Sequence, residues 1–252
     1  MSTTWKAFLL VVVLFAFHEG RAFGAFTLKD SSSFPKQFEM DNAAQGVDPN
    51  ATTTEWTLFT NTTPTSASLS GGFLNLSTGS TSARWWQTNG ALNSVGSTIE
   101  VRLRVDSAVD DNVLCTGCDR AFTLFFADNN DAGLLEIGLN HTYWRSSSTG
   151  AHVLLDSHSN SDGMHGFRIA QDANSNLYTV WRDAQVISST GQPGNFGSGQ
   201  PFYFGDGTGN FGGSVAVDYV RYDLTGGYSI PEPASAMLLG VGGLLLWRRR
   251  RS

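Results

Sequence analysis

Between Ser97 and Asp106 the chain alternates Ile99, Val101, Leu103 and Val105 with Glu100, Arg102 and Arg104. Successive side chains of a β-strand point to opposite faces, so this period of two sets four aliphatic groups on one side and three charges on the other. One face of this segment is core. Similar or more fully apolar runs occur at Glu55 to Thr60, Phe73 to Leu76, Ala121 to Ala127, Leu134 to Leu139, Ala151 to Leu155, Phe167 to Ala170, Leu177 to Trp181 and Pro201 to Phe204. Clusters such as Asp128-Asn129-Asn130-Asp131, Asp172 to Asn176 and Asp206 to Asn210 lie between them and supply the Asn, Asp and Gly that tight reversals need. The body shows no sustained helical period. Many short strands at this spacing predict one all-β domain over residues 25–228, an antiparallel β-sandwich or jelly roll.

Both ends of the chain follow a different logic. A short polar stretch with one cation, Met1 to Lys6, precedes the unbroken apolar run Ala7 to Phe17, and the small residues Ala22, Gly24 and Ala25 follow. This is the pattern of a secretory signal peptide, here residues 1–24. At the other end Ile230-Pro231-Glu232-Pro233 leads into the apolar segment 234–247 and then Arg248, Arg249, Arg250 and Arg251. Two prolines fix φ and remove two backbone donors, which keeps the motif extended and accessible to another protein. As a helix the apolar segment would span about 21 Å against a hydrocarbon core of about 30 Å, a marginal membrane span. Four permanent cations after it resist translocation and hold the end on the cytoplasmic side.

Pro231, Glu232 and Pro233, the short apolar segment and the arginine run together closely resemble the PEP-CTERM sorting signal of Gram-negative bacteria that make exopolysaccharide. The resemblance covers residues 229–252 and implies a membrane-embedded exosortase as partner, with at least transient residence in the inner membrane. It implies a destination in the cell envelope, on the outer surface or in the extracellular matrix. It carries no information about what the body binds.

Six of the sixteen cations, Lys6, Arg21 and Arg248 to Arg251, belong to the terminal segments, so the body is more acidic than the formal −6 of the whole chain. An acidic surface repels phosphate backbones, and the remaining cations are scattered, which argues against nucleic acid as a partner. The two cysteines, Cys115 and Cys118, form a C-x-x-C in Leu114-Cys115-Thr116-Gly117-Cys118-Asp119. Export places them where disulfides persist, and Thr-Gly suits the centre of a turn that a disulfide can close. A small loop-tying disulfide is therefore expected, with a pair of free thiols as the alternative, and a metal site is not, because no second cysteine pair exists to complete one.

His165 to Ala170, Asn176 to Asp183, Val186-Ile187, Phe202 to Asp206 and Val215 to Tyr222 resemble, in content and order, the closing strands of concanavalin A-like or laminin G-like sandwiches. That architecture hosts glycan-binding modules, glycan-cleaving enzymes and adhesion domains, so the resemblance does not choose among them. Cleaving a glycosidic bond with retention needs two carboxylates about 5.5 Å apart. Endoglucanases of this fold set them on one strand as a Glu-x-Asp-x-(x)-Glu cluster, and Glu55, Glu100 and Glu136 each lack a second acid at i+2 or i+4. No G-x-S-x-G elbow appears, and the expectation is a protein without catalytic residues.

No cofactor is expected. His152, Asp156 and His158 would share a face of a straight strand, and Asp128, Asn130 and Asp131 offer oxygen ligands to calcium, but turn and loop chemistry explains both sets better. Aromatics remain. In Trp85-Trp86 one ring should face the core and the other outward. With Trp144 and Trp181, and with Trp56 as a further candidate, they are the candidate glycan contacts, since an exposed indole offers a flat apolar face with a polar edge. The reading is an exported surface or matrix component with glycan recognition. A glycan-cleaving hydrolase and a purely structural surface protein are the alternatives.

Overall fold

A computed structural model describes residues 36–40, 56–60, 65–79, 81–88, 97–110, 118–127, 132–146, 151–171, 177–183, 185–188, 192–193, 202–207 and 212–223. All of them lie in the compact unit Phe26–Tyr228. The signal peptide, residues 1–24, and the C-terminal segment, residues 229–252, lie outside the described residues. Among the described residues no helix is long and apolar enough to cross a membrane.

Every described element is a strand. The first six are β1 (Lys36–Glu39), β2 (Trp56–Thr60), β3 (Thr65–Ser70), β4 (Phe73–Thr78), β5 (Arg84–Thr88) and β6 (Ser97–Asp110). Then come β7 (Asp119–Arg120), β8 (Phe122–Ala127), β9 (Ala132–Ile137), β10 (Thr142–Arg145), β11 (His152–Asp156) and β12 (His165–Gln171). The last are β13 (Leu177–Arg182), β14 (Gln185–Val186), β15 (Gln192–Pro193), β16 (Tyr203–Asp206) and β17 (Gly213–Asp223).

Two antiparallel sheets result. The ten-stranded one runs β14-β13-β12-β6-β17-β4-β3, with β1 also paired to β17, β15 to β13 and β7 to β6. The seven-stranded one runs β11-β10-β9-β8-β16-β5-β2. Neighbours such as β8 and β9 are a hairpin, whereas β16 enters between β8 and β5 from far along the chain. This is the all-β, two-layer antiparallel sandwich expected from the strand pattern and from the concanavalin A-like resemblance.

The alternating segment takes the position its pattern demands. β6 sits between β12 and β17, and Ile99, Val101, Leu103 and Val105 are fully buried in the layer between the sheets. Leu74, Leu76, Phe167, Ile169, Val215 and Val217 join them from the same sheet, while Trp86, Phe122, Leu124, Phe126, Leu135 and Trp144 come from the other. Burying apolar area at about 25 cal/mol per Å² makes this contiguous layer the main stabilising term of the fold.

Strand limits differ from the sequence runs where apolar content and pairing part company. The run Leu134 to Leu139 becomes β9, which starts at Ala132 and ends at Ile137, and Pro201 to Phe204 becomes β16, shifted to Tyr203–Asp206. β3 has no apolar run at all: only Ala67 and Leu69 reach the core, and the strand is held at the sheet edge by pairing with β4. Gly71 and Gly72, with φ of 65° and 82°, close that hairpin in the left-handed region that suits a two-residue reversal.

Candidate functional site

Alternation along the seven-stranded sheet separates two sets of side chains. In register, Leu58, Trp86, Phe204 and Leu124 line up across β2, β5, β16 and β8 and face the core. The alternate positions Phe59, Trp85, Gly205 and Thr123 align on the outer face, with Gln87, Tyr203 and Phe125 one step along. Phe59 and Trp85 stack with centroids 5.3 Å apart and planes 8° from parallel. Trp85 meets Tyr203 at 6.2 Å, and Tyr203 stacks on Phe125 at 4.7 Å. An aromatic row therefore crosses four strands. At its edge Phe59 is 37% exposed, Trp85 is half-buried, and the indole N–H of Trp85 donates to Oε1 of Gln87 at 3.2 Å.

The opposite end of the row reaches a buried polar cluster. Leu134, Glu136, Tyr143 and Arg145 share the outer face by the β9–β10 register, and Phe125, Ala132 and Leu134 form a small apolar cluster against Tyr203. Glu136 is fully buried. Its Oε1 accepts from Nη1 of Arg120 at 2.7 Å, Arg145 lies 4.0 Å away, and Nε2 of His152 is 3.4 Å from its Oε2. Burial pushes the Tyr203 hydroxyl well above its ordinary range, with the Glu136 charge adding to the shift and Arg145 opposing it. Tyr203 therefore serves as a neutral ring.

A second buried carboxylate stands on the outer face of the ten-stranded sheet. Glu100 accepts from Nε of Arg168 at 2.9 Å and from the Tyr219 hydroxyl at 2.8 Å, and Arg221 lies over the Tyr219 ring at 3.6 Å. Glu100 and Glu136 are thus each tied to arginine and lie on different sheets.

Trp85 reaches the outer face, whereas Trp86 is 1% exposed and stacks on Phe204 at 5.3 Å. Trp144 and Trp181 are not surface platforms. Trp144 is fully buried against Tyr178 in the core, and Trp181, opposite Arg168 on β13, is 3% exposed. The side chain of Trp56 lies outside the described residues. So do Glu55, Asp128, Asn130, Asp131, Cys115, Pro231 to Pro233 and Arg248 to Arg251. Cys118 is disulfide-bonded and 1% exposed.

His152, Asp156 and His158 do not converge. The β10–β11 register shifts between Thr142 and Tyr143, which sets Asp156 opposite core-facing Thr142 and leaves His152 opposite outward-facing Arg145. Asp156 pairs with His158 and approaches Arg182 at 3.5 Å, while His152 turns to Glu136. Among the described residues no group of His, Cys, Asp and Glu could hold a metal ion. Phe59, Tyr203 and the Glu136 cluster were not singled out from the sequence. A lone acid inside the run Leu134 to Leu139 is the signal that could have found Glu136, because a buried charge requires a partner.

Beyond the sandwich, residues 229–251 match the PEP-CTERM protein-sorting motif. The chain carries that sorting signal. A PEP-CTERM motif marks an exported, membrane-sorted protein. The body of this PEP-CTERM chain is similar in structure to a carbohydrate esterase of Shiga toxin-encoding bacteriophage phi24B, at 12% identity and a TM-score of 0.54, over 75% of this chain and 97% of the esterase. At that identity the likeness shows the fold alone. Similarity also extends to the carbohydrate recognition domain of Emp47p, at 15% identity and a TM-score of 0.48, over 78% of this chain and 99% of that domain. The endo-1,3-beta-glucanase of Streptomyces sioyaensis matches at 15% identity and a TM-score of 0.46, over 79% and 98%. No curated protein matches the chain in sequence.

Proposed function

We propose that this is a non-catalytic surface or exopolysaccharide-matrix component that is sorted by an exosortase and recognises a neutral glycan on the outer face of its seven-stranded sheet. The observation that carries the reading is the stacked pair Phe59 and Trp85 at the accessible end of the aromatic row, with Gln87 fixing the indole N–H. Sugar rings present apolar C–H faces, and an aromatic edge with amide groups beside it offers both stacking and hydrogen bonds. The engagement of Glu136 with arginine supports a binding rather than an acid–base role for this face, and Glu100, on the other sheet, is likewise tied to arginine. Cys115 is the proposed disulfide partner of Cys118.

The test is a pull-down of purified body protein on insoluble neutral polysaccharides, with Trp85→Ala and Phe59→Ala alongside. Retention of the parent that changes little between low and high salt, and that both variants weaken, supports the reading, because stacking is not screened. Equal retention of parent and variants, or no retention on any polysaccharide, overturns it. Release of soluble sugar during incubation would instead favour a hydrolase.

A further inference from the structure

Tyr203 stands inside the outer-face row, and the chain leaves room for it there. Its register neighbours are Gln87 on β5 and Phe125 on β8, so it lies between the amide that takes the Trp85 indole N–H and the ring it stacks on. The far end of the Tyr203 ring rests on Gly207: a Cβ added at that glycine would fall 2.5 Å from Cε2, 2.9 Å from Cζ and 3.0 Å from the hydroxyl oxygen. Gly205, between the two along the chain, has a φ of 124°, which excludes an ordinary side chain there as well. Two bare positions thus let the ring lie tilted 50° against Trp85, with centroids 6.2 Å apart. Its hydroxyl makes no hydrogen bond to a described residue, and Tyr203 is half-buried rather than enclosed. The Tyr219 hydroxyl on the other sheet, by contrast, is committed to Glu100 at 2.8 Å.

We propose that Tyr203 selects the sugar at this face, its hydroxyl bonding to a hydroxyl of the glycan unit packed on Trp85, and that Gly207 is the positioning residue that seats it, a role that rests on the glycan reading above. Aromatic rings alone discriminate poorly among sugars, because each sugar ring offers an apolar C–H face. A fixed hydroxyl beside the platform answers to a hydroxyl at one place on the sugar, and a ligand lacking it leaves that group without a partner. The phenol both donates and accepts, so it suits a free sugar hydroxyl in either sense. Burial, with the Glu136 charge adding to it, keeps the phenol neutral well into the alkaline range. The contact is therefore one between uncharged groups. The ligand class is a neutral polysaccharide with free ring hydroxyls.

The test is a set of binding isotherms of the full chain on particulate cellulose, chitin and insoluble mannan. Tyr203→Phe removes one oxygen and keeps the ring. It is expected to weaken retention on the polysaccharide that holds the parent by about three- to tenfold, the net worth of one neutral hydrogen bond, with the unfolding midpoint unchanged. Gly207→Ala is expected to weaken retention at least as much, and combining it with Tyr203→Phe to add little, since both changes remove the same contact. Equal retention of parent and Tyr203→Phe, where Trp85→Ala weakens it, overturns the selecting role and leaves the glycan reading standing. Fully additive losses in the double variant overturn the role of Gly207. No retention of the parent on any of these polysaccharides overturns the selecting role and the glycan reading together. Tyr203→Phe decides the selecting role even if Gly207→Ala fails to fold.

Discussion

The indole of Trp144 on β10 lies directly against the backbone of Gly133 on β9: a Cβ added at Gly133 would fall 2.0 Å from Cζ2 and 2.3 Å from Cη2 of the ring. The missing side chain at Gly133 is therefore what seats the tryptophan in the core, where it also meets Tyr178. Gly133→Ala should destabilise the fold by about 1–3 kcal/mol, the usual cost of overpacking. Adding Trp144→Phe should recover part of that loss, as measured by denaturant unfolding of the single and double variants. A fully additive pair would show that the contact is not what matters.

Trp85 and Trp86 are neighbours with opposite tasks. Trp86→Ala removes a ring that is 1% exposed and stacked on Phe204, and should cost about 3–5 kcal/mol. Trp85→Ala removes a half-buried outer ring and should change the unfolding midpoint far less while weakening glycan retention. Thermal unfolding and pull-down on the two variants separate these outcomes.

Glu136 and Arg120 are both fully buried and 2.7 Å apart. Glu136→Gln should destabilise by about 3–5 kcal/mol, because it leaves an arginine charge in the interior without its counter-ion. Joint replacement by Glu136→Leu and Arg120→Met should cost less than either single change, since neither fully buried member of the pair is then left facing an apolar partner. Chemical denaturation of Glu136→Gln, Arg120→Met and the double variant reads this directly.

Tyr219 donates its hydroxyl to Glu100, and burial first, then that carboxylate, pushes its ionisation well above the ordinary value near 10. The folded state thus prefers the neutral phenol. Its contribution is fully present below about pH 10 and is lost as the pH rises further, when the unfolded chain can ionise and the native one cannot. Unfolding midpoints of the parent should fall above about pH 10 more steeply than those of Tyr219→Phe.

Replacing Pro231, Glu232 and Pro233 by alanines should leave export intact while full-length protein accumulates in the inner membrane. Fractionation with mass analysis checks this. Surface protein of the same mass and amount in parent and variant would show that the motif does not sort.

Local pattern in the chain was enough to define the two-sheet class and the C-terminal sorting motif. Ile99, Val101, Leu103 and Val105 declare one buried face because a strand has a period of two, and the PEP-CTERM signal is read from contiguous residues. Which sheet each strand joins was decided only by long-range pairing: nothing near Tyr203 says that β16 inserts between β8 and β5, and that insertion completes the aromatic row. Trp144 shows the same limit, since aromatic content is visible in the sequence but burial depends on what packs opposite, here Tyr178 and Gly133. His152 and Asp156 were parted by a register shift that alternation cannot foresee. Local periodicity fixes which way a side chain points from its own strand, and only the tertiary pairing of distant strands fixes what it meets there.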